Sequence, residues 1–167
     1  MSIRNNSGVK KQKIYLETTL FNFYVDKDKG DAHTDTVKLF KEILEGKYEG
    51  YSSDYVIDEL EKAPEKKRNR MLSLFSEFGI KVLEPDVSAN KLADQYIAEG
   101  VIPSKYRSDG LHIAIATVNG LDMIISMNFQ HIVKRKTIKM TGAINILNGY
   151  QPIEIYSPME VVENEYD

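Results

Sequence analysis

The stretch that most restricts the fold runs from Ser108 to Val133, SDGLHIAIATVNGLDMIISMNFQHIV. Ser108 and Asp109 open it at a helix start, where a short polar side chain can accept backbone N–H groups that lack a helical partner. Leu111, Ile113, Ala114, Ile115, Ala116 and Val118 follow as a largely buried helix that Gly120 stops. Met123, Ile124 and Ile125 then read as a core strand of a parallel sheet. The strand gives way to Ser126-Met127-Asn128 and to Phe129-Gln130-His131-Ile132-Val133. Open α/β sheets bind ligands outside the carboxyl ends of their strands. An acid at the helix entrance and polar groups at the strand exit are therefore placed for chemistry.

The rest of the chain repeats this alternation. Lys13 to Leu16 enters a first strand, closed by Glu17-Thr18-Thr19, and Leu20, Phe21, Phe23 and Tyr24 follow as a short aromatic helix or turn. After a polar loop from Asp26 to His33, Thr34 or Asp35 can cap a helix carrying Val37, Phe40, Ile43 and Leu44, which Gly46 ends. Tyr48 to Ser52 reads as a second strand. Ser53 or Asp54 caps a helix bearing Val56, Ile57, Glu59 and Leu60, and Pro64 suits the first turn of the next. Ile80 to Leu83 forms a third strand, Pro85-Asp86 a turn and cap, and Leu92 to Ile97 a helix closed by Gly100. A helix with Ile144 and Leu147, a strand from Ile153 to Ile155 and a helical turn from Pro158 to Val162 complete the pattern. Alternation of this kind predicts an α/β fold with a mainly parallel sheet. Residues 1–12 read as a flexible leader, 13–162 as one domain, and 163–167 as an acidic tail.

Composition narrows the function classes. The 167 residues suit one domain, and the absence of cysteine excludes disulfides and thiolate zinc sites. Met1 to Lys11 lacks the apolar core of a signal peptide, and no apolar run nears the ~20 residues that span a bilayer. A cytoplasmic protein is expected. The net charge of −3 gives no global case for nucleic-acid binding. Basic groups do cluster locally, at Lys10 to Lys13, Lys66 to Arg70 and Lys134 to Lys139.

The segments IYLETTLFNFYV, YSSDYVIDELEKAP, the 108–133 stretch and INILNGYQPIEIYSPMEVV resemble PIN-domain proteins of the VapC-like branch. The resemblance covers Lys13 to Val162, and the Ser-Met-Asn-Phe-Gln-His-Ile string is among its more specific parts. It implies a parallel sheet of about five strands flanked by helices, and a Mg²⁺- or Mn²⁺-dependent ribonuclease. It further implies an RNA substrate, a toxin silenced by an antitoxin protein, and a homodimer. The acidic positions of the family fall on Glu17, Glu59 and Asp109, with Asn128 at the fourth and Thr19 as the hydroxyl beside the first. Glu17 stands where aspartate is usual, and Asn128 where an acid is frequent. Three negative charges remain. Magnesium is held by one or two carboxylates with several waters, so a single ion is expected rather than a two-metal clamp with ions about 4 Å apart. Glu17, Asp109 and Glu59 are the expected metal ligands, and Lys105, Arg107, Lys134 and Arg135 the expected contacts to an RNA backbone.

The same residues carry plainer readings. Asp109 alone is a helix cap, Glu59 a surface residue, and Asn128 a turn former. His112, one turn from Asp109, and His131 read as satisfied, half-buried histidines. Phe21, Phe23 and Tyr24 read as core or dimer contact rather than a platform for bases. Two rival functions follow. One is a PIN-fold module that binds RNA or a protein without cutting. The other is a phosphoacceptor receiver domain, which needs a paired acid after the first strand and a lysine ending a late strand. Glu17 stands alone, and the late strand ends at Ser126 and Asn128.

Overall fold

Ile14, Tyr15 and Leu16 are wholly buried, and the strand they form is the centre of the sheet. The structure, a computed structural model, describes residues 10–164. Along the chain run β1 (Gln12–Leu16), α1 (Thr18–Val25), α2 (Asp31–Leu44), β2 (Tyr48–Ser53), α3 (Asp54–Leu60) and α4 (Glu65–Glu77). They are followed by β3 (Lys81–Leu83), α5 (Val87–Ala98), α6 (Arg107–Val118), β4 (Met123–Ile125), α7 (Arg135–Leu147), β5 (Glu154–Tyr156) and α8 (Pro158–Val161). Of the expected leader over 1–12, Met1 to Val9 lie outside the described residues, as does the end of the acidic tail, while Gln12 already belongs to β1, where it pairs with Tyr48. No helix among the described residues is long and apolar enough to cross a membrane.

The five strands are all parallel, in the order β3-β2-β1-β4-β5. The chain builds outward from β1 through β2 to β3, then returns to place β4 on the other side of β1. That reversal leaves a crevice at the carboxyl ends of β1 and β4, the place where open sheets of this kind hold ligands. β1 and β4 meet in the register Ile14↔Met123, Tyr15↔Ile124 and Leu16↔Ile125, and Glu17 N–H extends the ladder to the Ile125 carbonyl at 3.1 Å. Glu17 thus leaves the sheet beside the exit of β4.

Helix boundaries follow local chemistry. Ser53 caps α3 by accepting from Val56 N–H at 3.2 Å, and Asp86 caps α5 through Ala89 N–H at 2.8 Å, both as expected. α2 departs from expectation. It begins at Asp31, before Thr34 and Asp35, because Lys27–Lys29 form a 3₁₀ turn and Gly30 adopts φ +57° to redirect the chain. α6 also begins early. A 3₁₀ turn at Ser104–Tyr106 feeds into Arg107, so Ser108 and Asp109 lie inside the first helical turn rather than capping it. Phe21 stacks on Phe75 with centroids 4.8 Å apart and meets Phe40 edge-on, and Tyr24 packs against Phe40 and Phe78, so these two join the core as expected. The half-buried Phe23 lies outside it, with Lys29 Nζ 5.6 Å from its ring centre.

Candidate active site

Glu17 is the first residue past β1 and the cap of α1. It is 3% exposed. Its Oε2 accepts from Thr19 N–H at 3.1 Å, from Thr19 Oγ1 at 2.5 Å and from Ser126 Oγ at 2.7 Å. Thr19 Oγ1 accepts in turn from Met127 N–H at 2.9 Å, and Ser126 Oγ from Asn128 N–H at 2.9 Å. The exits of β1 and β4 are therefore laced together around one carboxylate oxygen. The other oxygen, Oε1, has no hydrogen-bond partner among the described residues.

Asp109 reaches the same crevice from the first turn of α6 and is partly buried. Burial raises its pKa above the ordinary aspartate value and the charge of Glu17 raises it further, while His112, His131 and the Asn128 side chain pull it down. Asn128 is oriented through its Oδ1, which accepts from His131 N–H at 3.0 Å. Glu17, Asp109, Asn128 and Thr19 are thus brought together.

Glu59 stands somewhat apart. Its Oε1 lies 2.6 Å from His112 Nε2 and accepts from Thr18 Oγ1 at 3.0 Å. His112 is 1% exposed, and its Nδ1 lies 2.7 Å from the Tyr15 hydroxyl, which is 2.7 Å from Ser53 Oγ. Burial works against a charged imidazole, but the hydrogen bond to Glu59 and the charges of Glu17, Glu59 and Asp109 outweigh it and raise the His112 pKa. For Glu59 burial favours the neutral acid, and the bond to His112, its charge and the Thr18 hydroxyl prevail to lower the pKa.

The basic residues divide. Lys105, Lys134 and Arg135 are exposed, with Lys105 Nζ 5.6 Å from the Tyr106 ring centre. Arg107 is engaged within the fold, with Nε 2.7 Å from Asp94 Oδ1 and a second nitrogen bonded to Asn90. The sequence pointed to Ser53 only as a helix cap and to Ser126 only as a polar group at the strand exit, and gave Tyr15 no place in the site. Tyr15 looked like core, although a tyrosine in a buried strand needs a partner for its hydroxyl. His112 is satisfied as expected, but fully rather than half buried. His131 stacks on Tyr106 at 4.1 Å, and its Nε2 is buried with no partner among the described residues.

The donor chemistry suits a hard divalent cation. Such ions take oxygen ligands, and Glu17 and Asp109 offer two carboxylates whose repulsion a cation relieves. Among the described residues no three His, Asp or Glu side chains are arranged to hold a metal ion together. The fit is to a pair of carboxylates completed by water.

No family profile and no curated protein matches the chain by sequence. Solved structures do match by shape. A chain of VapBC2 from Rickettsia felis, bound to a DNA fragment from its promoter, is 12% identical with a TM-score of 0.55, over 87% of this chain and 98% of that one. A chain of DNA-bound VapBC from Salmonella typhimurium is 16% identical with a TM-score of 0.52, over 88% of this chain and 98% of that one. With the all-parallel sheet of five strands and the crevice between β1 and β4, these likenesses show that the chain has a VapC-like PIN fold.

Proposed function

We propose that the protein is a Mg²⁺- or Mn²⁺-dependent endoribonuclease that hydrolyses RNA phosphodiester bonds at the crevice between β1 and β4. The observation that carries this reading is the pairing of Glu17 and Asp109 there, the first buried and the second partly buried, with the charge of Glu17 acting on Asp109. Two such carboxylates are costly side by side unless a cation joins them. Glu17 and Asp109 are the main ligands in this reading, Glu59 acts through water, and Asn128 and Thr19 support. When bound, the cation lowers the pKa of a water molecule and withdraws charge from the phosphoryl oxygens.

The chain's own residues do the remaining work. Thr19 and Ser126 hold Glu17 Oε2, and no described residue bonds Oε1. The Asn128 side chain, oriented by His131 N–H, faces Asp109. Lys105, Lys134 and Arg135 line the approach for an RNA backbone, and Arg107 contributes only if it leaves Asp94. The likeness to chains of VapBC complexes supports a toxin held by a small antitoxin, and this reading takes it as a homodimer working in the cytoplasm.

A second reading, a PIN-fold module that binds RNA or a protein without cutting, is favoured by the engagement of Glu59 with His112. The test is incubation of a mixed pool of structured RNAs with the protein in Mn²⁺, with and without chelator, beside Glu17→Gln. Cutting that requires the metal and Glu17 supports the nuclease. Tight RNA binding without cutting, together with no Mn²⁺ binding in calorimetry, supports the module.

A further inference from the structure

We propose that the apolar hollow beside the crevice is a nucleobase subsite, in which Phe129 stacks on an RNA base bearing an exocyclic amino group and Asp31 and Asp35 accept from that group. The inference rests on the reading that RNA enters the crevice, and adds to it a preference among bases.

Phe129 directly follows Asn128 and is 54% exposed. Met159, on α8, is 65% exposed, and Met127 is half-buried. These three line a hollow of about 130 Å³, with Asp31, Asp35 and Ser157 among its other walls. That space is small against the roughly 300 Å³ or more of a pocket for a drug-sized ligand, and suits a single planar ring. The hollow adjoins the acidic site through Met127, which donates its N–H to Thr19 Oγ1 at 2.9 Å, and that hydroxyl is bonded to Glu17 Oε2. An RNA strand with one phosphate at Glu17 and Asp109 therefore has a neighbouring base within reach of Phe129.

The chemistry of the walls selects a base over the backbone. An exposed aromatic face stacks on any base, and flexible thioether side chains such as Met127 and Met159 adapt around it. Asp31 and Asp35 stand one turn apart on α2, so they share a face. No ion pair among the described residues involves either. Carboxylates without a cation partner repel a phosphate and only accept hydrogen bonds, a need that the amino group of a base meets. Adenine, cytosine and guanine carry such a group. Uracil presents carbonyl oxygens in its place, which meet the carboxylates acceptor to acceptor.

The test measures binding of short fluorescent oligo(A), oligo(C) and oligo(U) to the full chain in chelator, where metal-dependent cutting is suppressed. The wild type is expected to hold oligo(A) and oligo(C) at least about fivefold tighter than oligo(U). Phe129→Ala, a change at an exposed position, is expected to weaken oligo(A) by about fivefold or more and to leave the salt slope unchanged, because a stacked base is lost and no phosphate contact. Asp31→Asn combined with Asp35→Asn, whose amides also donate, is expected to erase the preference, chiefly by raising the affinity for oligo(U). Equal binding of the three oligonucleotides by the wild type, or oligo(A) affinity untouched by Phe129→Ala, overturns the subsite and leaves the hollow to a side chain of a protein partner. The nuclease reading then stands or falls on whether the wild type cuts RNA in Mn²⁺. A base preference that depends on Phe129, in a protein that cuts nothing, supports the subsite and overturns the nuclease.

Discussion

Asp109 meets two costs at once, withdrawal from water and the facing charge of Glu17. Its folded-state pKa lies above the unfolded one. Protonation therefore adds stability that is fully present below the ordinary aspartate value and is lost as pH rises through the raised one. In chelator, thermal unfolding between about pH 4 and pH 7 should show the wild type losing stability relative to Asp109→Asn. At neutral pH the variant should be the more stable protein, while its cleavage rate falls by about 100-fold or more, as when a positioned electrostatic stabiliser is lost. Tyr15 tests the buried relay. Tyr15→Phe leaves His112 Nδ1 and Ser53 Oγ without a shared partner, and should cost about 1–3 kcal/mol in denaturant unfolding. That Glu17, Asp109 and Asn128 lie near the ends of elements was legible from the sequence, and the roles proposed for them follow from the family resemblance. The tie between Glu59 and His112 was not legible, since 53 residues separate them and only the folding of the chain brings them together.

At the scale of elements, the helix caps show how far local chemistry reaches. Ser53 and Asp86 were readable as caps because a short polar side chain preceded an apolar run. Ser53 does more than cap, since its hydroxyl also meets Tyr15. Ser53→Ala should therefore cost at least the ~1 kcal/mol of a lost cap. By the relay it should also loosen Glu59, which NMR would register as faster exchange at His112 Nε2–H. The starts of α2 and α6 were misread for one reason. A 3₁₀ turn precedes each helix, and such turns carry no hydrophobic period to betray them.

For the molecule as a whole, the alternation of helix and strand predicted a parallel α/β sheet, but periodicity does not order strands. The order β3-β2-β1-β4-β5 sets the crevice, because it makes β1 and β4 neighbours across the reversal of the chain. The net charge of −3 leaves RNA attraction to local groups, of which Lys134 and Arg135 are exposed at the start of α7. Changing both to alanine should weaken RNA binding across sequences and reduce the slope of log affinity against log salt by about 1–2. The central claim is that the carboxylates joined at this crevice cut RNA with a divalent cation. It is tested most directly by cleavage of one RNA pool in Mn²⁺ by the wild type and by Asp109→Asn at equal concentration. Cutting by the wild type alone is the predicted result, and equal cutting by the two would contradict it.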